Sequence, residues 1–184
     1  MFKCFRQIEH SDCGLTCIRM IAKHYGTNIP LRYLHNISDL NRLGMSIKDI
    51  TSCCNKIGLE SAAVRISPEH ITDMPLPAIL FWQQRHFVVL YKINSKKKKY
   101  YTADPAQGKL TYSNDDFIKY WIPNGEHTGL AILAEPNEEF NNLSYKKENS
   151  LKDFFKYLFQ FFKVHKVKFL LALLITIVKY MTKI

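Results

Sequence analysis

"AILFWQQRHFVVLYKI" (residues 78–93) holds two apolar runs, rich in β-branched and aromatic residues, separated by the turn-forming residues Gln83–Arg85. It reads as two antiparallel strands, 78–82 and 86–93, joined by a tight connection. The signal extends both ways. "ESAAVRI" (60–66) before it, and "KYYTAD" (99–104), "KLTY" (109–112) and "TGLAILAE" (128–135) after it, also read as strands. Asn94–Ser95 and Pro105–Gly108 supply further turns. Between the last two strands, "SNDDFIKYW" (113–121) reads as a helix capped by Ser113.

Upstream of residue 60 the period is helical. Leu15, Ile18, Ile21, Ala22 and Tyr25 recur on one face of Cys13–Tyr25, which stops at Gly26, a residue suited to a helix C-terminus. Asp12 is the expected N-cap, placing Cys13 in the first turn. A short helix follows Pro30, and another starts at Ser46, where Asp49 completes a capping-box pattern, and ends before Gly58. Helices first and strands afterwards predict an α+β domain with N-terminal helices packed on a largely antiparallel sheet.

The 184 residues suffice for one compact domain and an appendage, and an apolar fraction of 47% can bury a core. The formal net charge of +10 is unevenly spread. Residues 1–140 hold 17 Lys and Arg against 14 Asp and Glu, whereas residues 141–184 hold 9 against 2. The basic excess sits beside the most apolar run, which suits a cytoplasmic membrane boundary and argues against a nucleic-acid partner. Five cysteines, two of them adjacent, with no signal peptide ahead of them, predict reduced thiols and no disulfide framework.

The expected organisation is a domain over residues 1–136, a polar linker over 137–150 and a C-terminal segment over 151–184. In the last, Leu151, Phe154, Phe155, Leu158, Phe161, Phe162 and His165 recur at helical spacing, with lysines on the other face. That is an amphipathic helix suited to lipid headgroups. "FLLALLITIV" (169–178) follows. Spanning a bilayer takes about 20 apolar residues, so this run is the start of a membrane helix, an interfacial segment, or a terminal helix packed on the domain.

Cys13 is the leading chemical candidate. Unpaired N–H groups in the opening turn of a helix favour thiolate, and so nucleophilicity; the alternative is a buried structural cysteine. Cys17, one turn deeper, reads as core. The two are a weak metal pair, because the common two-residue gap is missing and no second Cys or His pair completes a site. Among seven histidines, His86 opens a strongly apolar strand straight after turn residues and is the candidate base; His10, His24, His35, His70, His127 and His165 read as surface. A base needs an acceptor to hold its tautomer. Asp104 ends the neighbouring strand, where hairpin geometry brings it beside His86, although an aspartate before Pro105 is also an ordinary turn residue. Gln7, six residues before Cys13, is the candidate donor to a developing oxyanion, together with the Cys13 backbone N–H.

The ordered set Gln7, Cys13, His86 and Asp104, carried by "QIEHSDCGLTCIRMIAKHYG", "LGMSIKDI", "HFVVLYKI" and "ADPAQGKLTYSNDDFIKYW", resembles the N-terminal double-glycine leader peptidase domain of bacteriocin-processing ABC transporters. The similarity runs from about Gln7 to Pro136. It implies a papain-like cysteine peptidase acting after Gly-Gly, with Cys13 as nucleophile, His86 as base, Asp104 as its orienting partner and Gln7 in the oxyanion hole. All four positions keep the family's residue types, unlike the cysteine-lacking relatives in some toxin exporters, which bind cargo without cutting it. The resemblance also implies a precursor peptide as substrate, no cofactor for the peptidase step, transporter transmembrane and ATPase domains as partners, and the cytoplasmic face of a bacterial inner membrane. An amphipathic elbow helix leading into a first transmembrane helix, truncated here, is expected over 151–184. No G-x-x-x-x-G-K-[ST] occurs in these residues, so no ATP site is expected in this chain. Two other readings stay open: a leader-binding docking module with little or no catalysis, and another papain-like acyl transfer such as deamidation.

Overall fold

The computed structural model describes residues 1–38 and 44–142, together with Phe155, Phe159 and Lys163. Packing divides the chain into two units, Met1–Tyr145 and Lys146–Ile184. In the first, three helices, α1 (Cys13–His24), α2 (Leu31–Ile37) and α3 (Ile47–Lys56), precede β1 (Leu59–Ile66). Then come β2 (Ala78–Trp82), β3 (His86–Asn94), β4 (Lys99–Asp104), β5 (Gly108–Tyr112), α4 (Asn114–Trp121), β6 (Gly129–Pro136) and α5 (Glu138–Asn141). The helix and strand boundaries match the sequence expectation closely.

Local chemistry explains the helix ends. At α1 the Thr27 and Gly26 N–H groups donate to the Ala22 and Lys23 carbonyls, with Gly26 at φ 100°, the paired closure that a left-handed residue permits. Ser46 and Asp49 exchange side-chain and backbone hydrogen bonds at the start of α3, and Ser113 accepts from Asp116 N–H at the start of α4.

The six strands form one antiparallel sheet in the order β1-β6-β2-β3-β4-β5. Pleating sends alternate residues to opposite faces, and both faces are covered. Ile79, Phe87, Val89 and Ile132 join Leu15, Ile18, Ile21 and Ile50 of the N-terminal helices in one core. Leu80, Trp82, Val88 and Leu90 join Phe117 and Trp121 of α4 in the other. The strands are apolar at successive positions for this reason. Gly129 admits the α4 helix closely: a Cβ there would come within 2.3 Å of the Trp121 ring.

Two short 3₁₀ turns, His10–Asp12 and Pro68–Asp73, carry no clear sequence signal. The stretch expected to open the linker at 137 instead begins with α5, whose Phe140 is buried in the helix-side core. Burying Phe140 contributes roughly 1.5–3 kcal/mol, and Asn137 ties the turn down, its N–H donating to the Gly58 carbonyl at 2.9 Å and its side-chain oxygen accepting from Phe140 N–H. In the second unit Phe155, Phe159 and Lys163 are helical and exposed. The rest of the expected linker, amphipathic helix and apolar run lies outside the described residues. Among the described residues no helix is long and apolar enough to cross a membrane.

Candidate active site

Cys13 is the first residue of α1, with its side chain buried at the helix N-terminus. The preceding 3₁₀ turn aims it. Asp12 was expected to cap α1 through its side chain, and it does not: its backbone is already helical and its carboxylate turns back to accept from Glu9 N–H at 3.1 Å. The same carboxylate, 1% exposed, places Oδ1 3.1 Å from His35 Nε2. His35 is therefore a structural partner rather than a purely surface residue. Cys17 donates to the Phe87 carbonyl at 3.4 Å and is fully buried, which pushes its thiol well above the ordinary range. Cys53 and Cys54 lie in the core of the first unit.

The β2–β3 hairpin positions the histidine. Trp82 pairs with His86 across a connection in which Gln83 and Gln84 adopt left-handed backbone, φ 51° and 59°. Arg85 N–H closes the turn onto the Trp82 carbonyl. On the other side of β3, the β3–β4 ladder shifts register between Leu90 and Lys92. Beyond the bulge Leu90 pairs with Thr102 and Val89 with Ala103, so Asp104 falls on the same face as Val88 and His86. Without the bulge, Asp104 would stand opposite Val89 and point to the other face. His86 Nε2 and Asp104 Oδ1 lie 2.9 Å apart, with side chains 20% and 2% exposed.

Asp104 is held in turn by its own loop. Its Oδ1 accepts from Ala106 N–H at 2.6 Å and Gln107 N–H at 3.2 Å. The N-terminal segment is sewn to that loop: Gln7 N–H donates to the Pro105 carbonyl at 3.0 Å, and the Arg6 guanidinium donates to the Ala106 carbonyl. Gln7 thereby arrives beside the pair, and its buried side-chain Oε1 has no hydrogen-bond partner among the described residues.

Electrostatics follow from this geometry. Burial pulls the His86 imidazolium down, but hydrogen bonds to Asp104 and Cys13 and the charge of both outweigh it, raising His86 to about 9. Burial pushes Asp104 up, yet the His86 hydrogen bond, the Ala106 N–H and the His86 charge leave it below the ordinary carboxylate range. Because Nε2 faces Asp104, Nδ1 is the nitrogen left for the thiol, the tautomer a carboxylate partner enforces. Gln7, His86 and Asp104 line one cavity of about 810 Å³. Among the described residues, no group of three or more His, Cys, Asp or Glu side chains is arranged to hold a metal ion.

The structure thus brings all four sequence-predicted residues to one place. Sequence reasoning missed the Asp12–His35 contact, which depends on where α2 lands. It also missed the aromatic wall of the cavity, Trp82, Tyr112 and Tyr120, contributed by three separate elements.

Residues 1–139 match the family model described as the peptidase C39 family. The chain is 31% identical over 146 residues to the colicin V secretion/processing ATP-binding protein CvaB of Escherichia coli, covering 79% of this chain and 20% of that protein. It is 34% identical over 161 residues to the lactococcin-G-processing and transport ATP-binding protein LagD of Lactococcus lactis subsp. lactis, covering 84% and 22%. This chain spans about a fifth of the length of these relatives. Among solved structures, a double glycine motif protease from an AMS/PCAT transporter, in complex with the leader peptide, superimposes with a TM-score of 0.65. It has 25% identity, and the match covers 73% of this chain and 91% of that one.

Proposed function

The chain belongs to the peptidase C39 family, and from that membership we propose that it is a cysteine endopeptidase cleaving precursor peptides after a Gly-Gly pair. The observation that carries this reading is the 2.9 Å contact between His86 Nε2 and Asp104 Oδ1, with Cys13 as the other partner of the same ring. A nucleophile, a base and an orienting carboxylate in that order are what thiol acyl transfer requires.

In this mechanism the Cys13 sulfur, its proton held by His86, bonds to the carbonyl carbon of the second glycine. The oxygen becomes an oxyanion, which the Gln7 side-chain amide and the Cys13 backbone N–H stabilise. The C–N bond breaks as His86 delivers its proton to the departing amine, leaving a thioester. His86 then takes a proton from water, the hydroxide adds to the thioester carbon, and collapse releases the leader as a carboxylate and restores the Cys13 thiol. Two glycines suit a narrow cleft that leaves no room for a Cβ. We place the peptidase at the cytoplasmic face of a membrane, working with transporter transmembrane and ATPase domains and needing no cofactor for hydrolysis. The processing and transport proteins to which it is similar support that setting.

The test is incubation of the purified chain with a double-glycine precursor, read by mass spectrometry. Two fragments divided after Gly-Gly are expected from the native protein, and none from Cys13→Ser or His86→Ala. Cleavage that survives both substitutions overturns the mechanism. Binding without cleavage by the native protein would establish a docking module instead.

A further inference from the structure

The general acid decides which half of the substrate lies where. His86 must reach the nitrogen that leaves, so the chain on the amine side of the scissile bond has to run past His86. The cavity of about 810 Å³ opens at that point, since His86, Asp104 and Gln7 line it. Part of the same lining is an aromatic cluster. Trp82, Tyr112 and Tyr120 lie with ring centroids 5.2 Å (Trp82–Tyr112), 5.9 Å (Trp82–Tyr120) and 5.7 Å (Tyr112–Tyr120) apart, Trp82 mostly buried behind the two tyrosines, and Leu110 adds an aliphatic surface.

This cluster is built into the frame that carries the base. Trp82 pairs directly with His86 in the hairpin, and Gln83 N–H donates to the Tyr120 carbonyl at 2.9 Å, fastening the end of α4 to the turn before His86. Tyr112 ends β5, the strand that leaves the loop holding Asp104. Rings held this way bury an apolar side chain without first having to be ordered. Arg85, a cation on the cavity lining, disfavours a second cation.

We propose that this cavity is the subsite for the first residue after the scissile bond, and that Trp82, Tyr112, Tyr120 and Leu110 select an aromatic or large aliphatic side chain there. The inference rests on the peptidase reading above. It adds a specificity for the released peptide to one for its leader.

The experiment uses the full chain and synthetic precursors that share one double-glycine leader and differ only in the residue after it: Phe, Leu, Ala or Lys. kcat/KM is read for each. The native protein is expected to favour Phe and Leu over Ala by about tenfold or more, the scale on which an apolar pocket discriminates, with Lys below Ala. Tyr120→Ala, which opens the wall, and Leu110→Trp, which fills the cavity, should each bring the Phe-to-Ala ratio within about threefold. That ratio is internal to each variant and does not depend on its yield of folded protein. Cys13-dependent cleavage with equal rates across the series, or a Phe preference surviving both variants, overturns the subsite and leaves the peptidase standing. Failure of the native protein to cleave any precursor overturns the peptidase reading and the subsite with it.

Discussion

His86 and Asp104 meet, Nε2 to Oδ1 at 2.9 Å, because the β3–β4 ladder slips by one residue between Leu90 and Lys92. The slip turns Asp104 to the face that His86 occupies, and the Ala106 and Gln107 N–H groups hold its carboxylate there. The hydrogen bond therefore depends on an irregularity five residues away from the histidine, as well as on the two side chains that form it.

Removing the carboxylate should change how activity depends on pH. Asp104 helps raise His86 through its hydrogen bond and its charge. In Asp104→Ala the imidazole loses both, so the alkaline limb of kcat/KM should move to lower pH, with kcat down by roughly 10² or more. A pH–rate profile on one synthetic precursor is the check; an unmoved alkaline limb contradicts the assignment.

Stability should carry the same signature. His86 is raised from 6.5 to about 9 in the folded protein, so its protonation stabilises the fold fully below about pH 6.5. That contribution, roughly 3 kcal/mol, is lost as pH rises through 9. Asp104, held low, acts in the opposite sense, losing its contribution as pH falls through its folded value. Urea denaturation of native protein and His86→Gln between pH 6 and 10 should give curves that converge at the alkaline end. Parallel curves would show that His86 does not titrate this way.

Gln7→Ala should lower kcat by roughly 10²–10³ with little change in KM, as expected for a donor that acts on the transition-state oxyanion. Steady-state kinetics on one synthetic double-glycine precursor decide it. A change confined to KM would reassign Gln7 to ground-state binding.

The buried Asp12 carboxylate serves two elements at once, Glu9 N–H and His35 Nε2. Asp12→Ala leaves the amide unsatisfied and should cost about 1–3 kcal/mol in urea unfolding. His35→Ala should cost less, because that side chain is 34% exposed and readily solvated. A double-mutant cycle should show positive coupling between them; strict additivity would show that the contact contributes nothing.

Gly129→Ala should destabilise by about 1–3 kcal/mol or more, because its Cβ would enter the buried Trp121 ring, whose Nε1–H is fixed by the Leu130 carbonyl at 3.0 Å. Thermal unfolding measures it. Wild-type stability would mean that α4 can shift outward.

Much of this was legible along the chain because it is local. Helix caps at Ser46 and Ser113, the left-handed stop at Gly26 and the apolar runs bounded by turn residues are set by neighbouring residues, and they yielded the element order of an α+β domain. The four candidate residues were legible as types in sequence. Their convergence was only partly so: simple hairpin geometry brought His86 near Asp104, but the face on which they meet depends on a bulge at Tyr91 that no local residue announces. Asp12 followed its tertiary partner and not its capping propensity. Phe140 folded a polar stretch back onto the core, and Trp82, Tyr112 and Tyr120 became one wall only after α4 packed across the sheet. Backbone propensity acts over a few residues and is written in the chain. Strand register and the juxtaposition of distant side chains are chosen by packing the whole core, and these the tertiary structure decided.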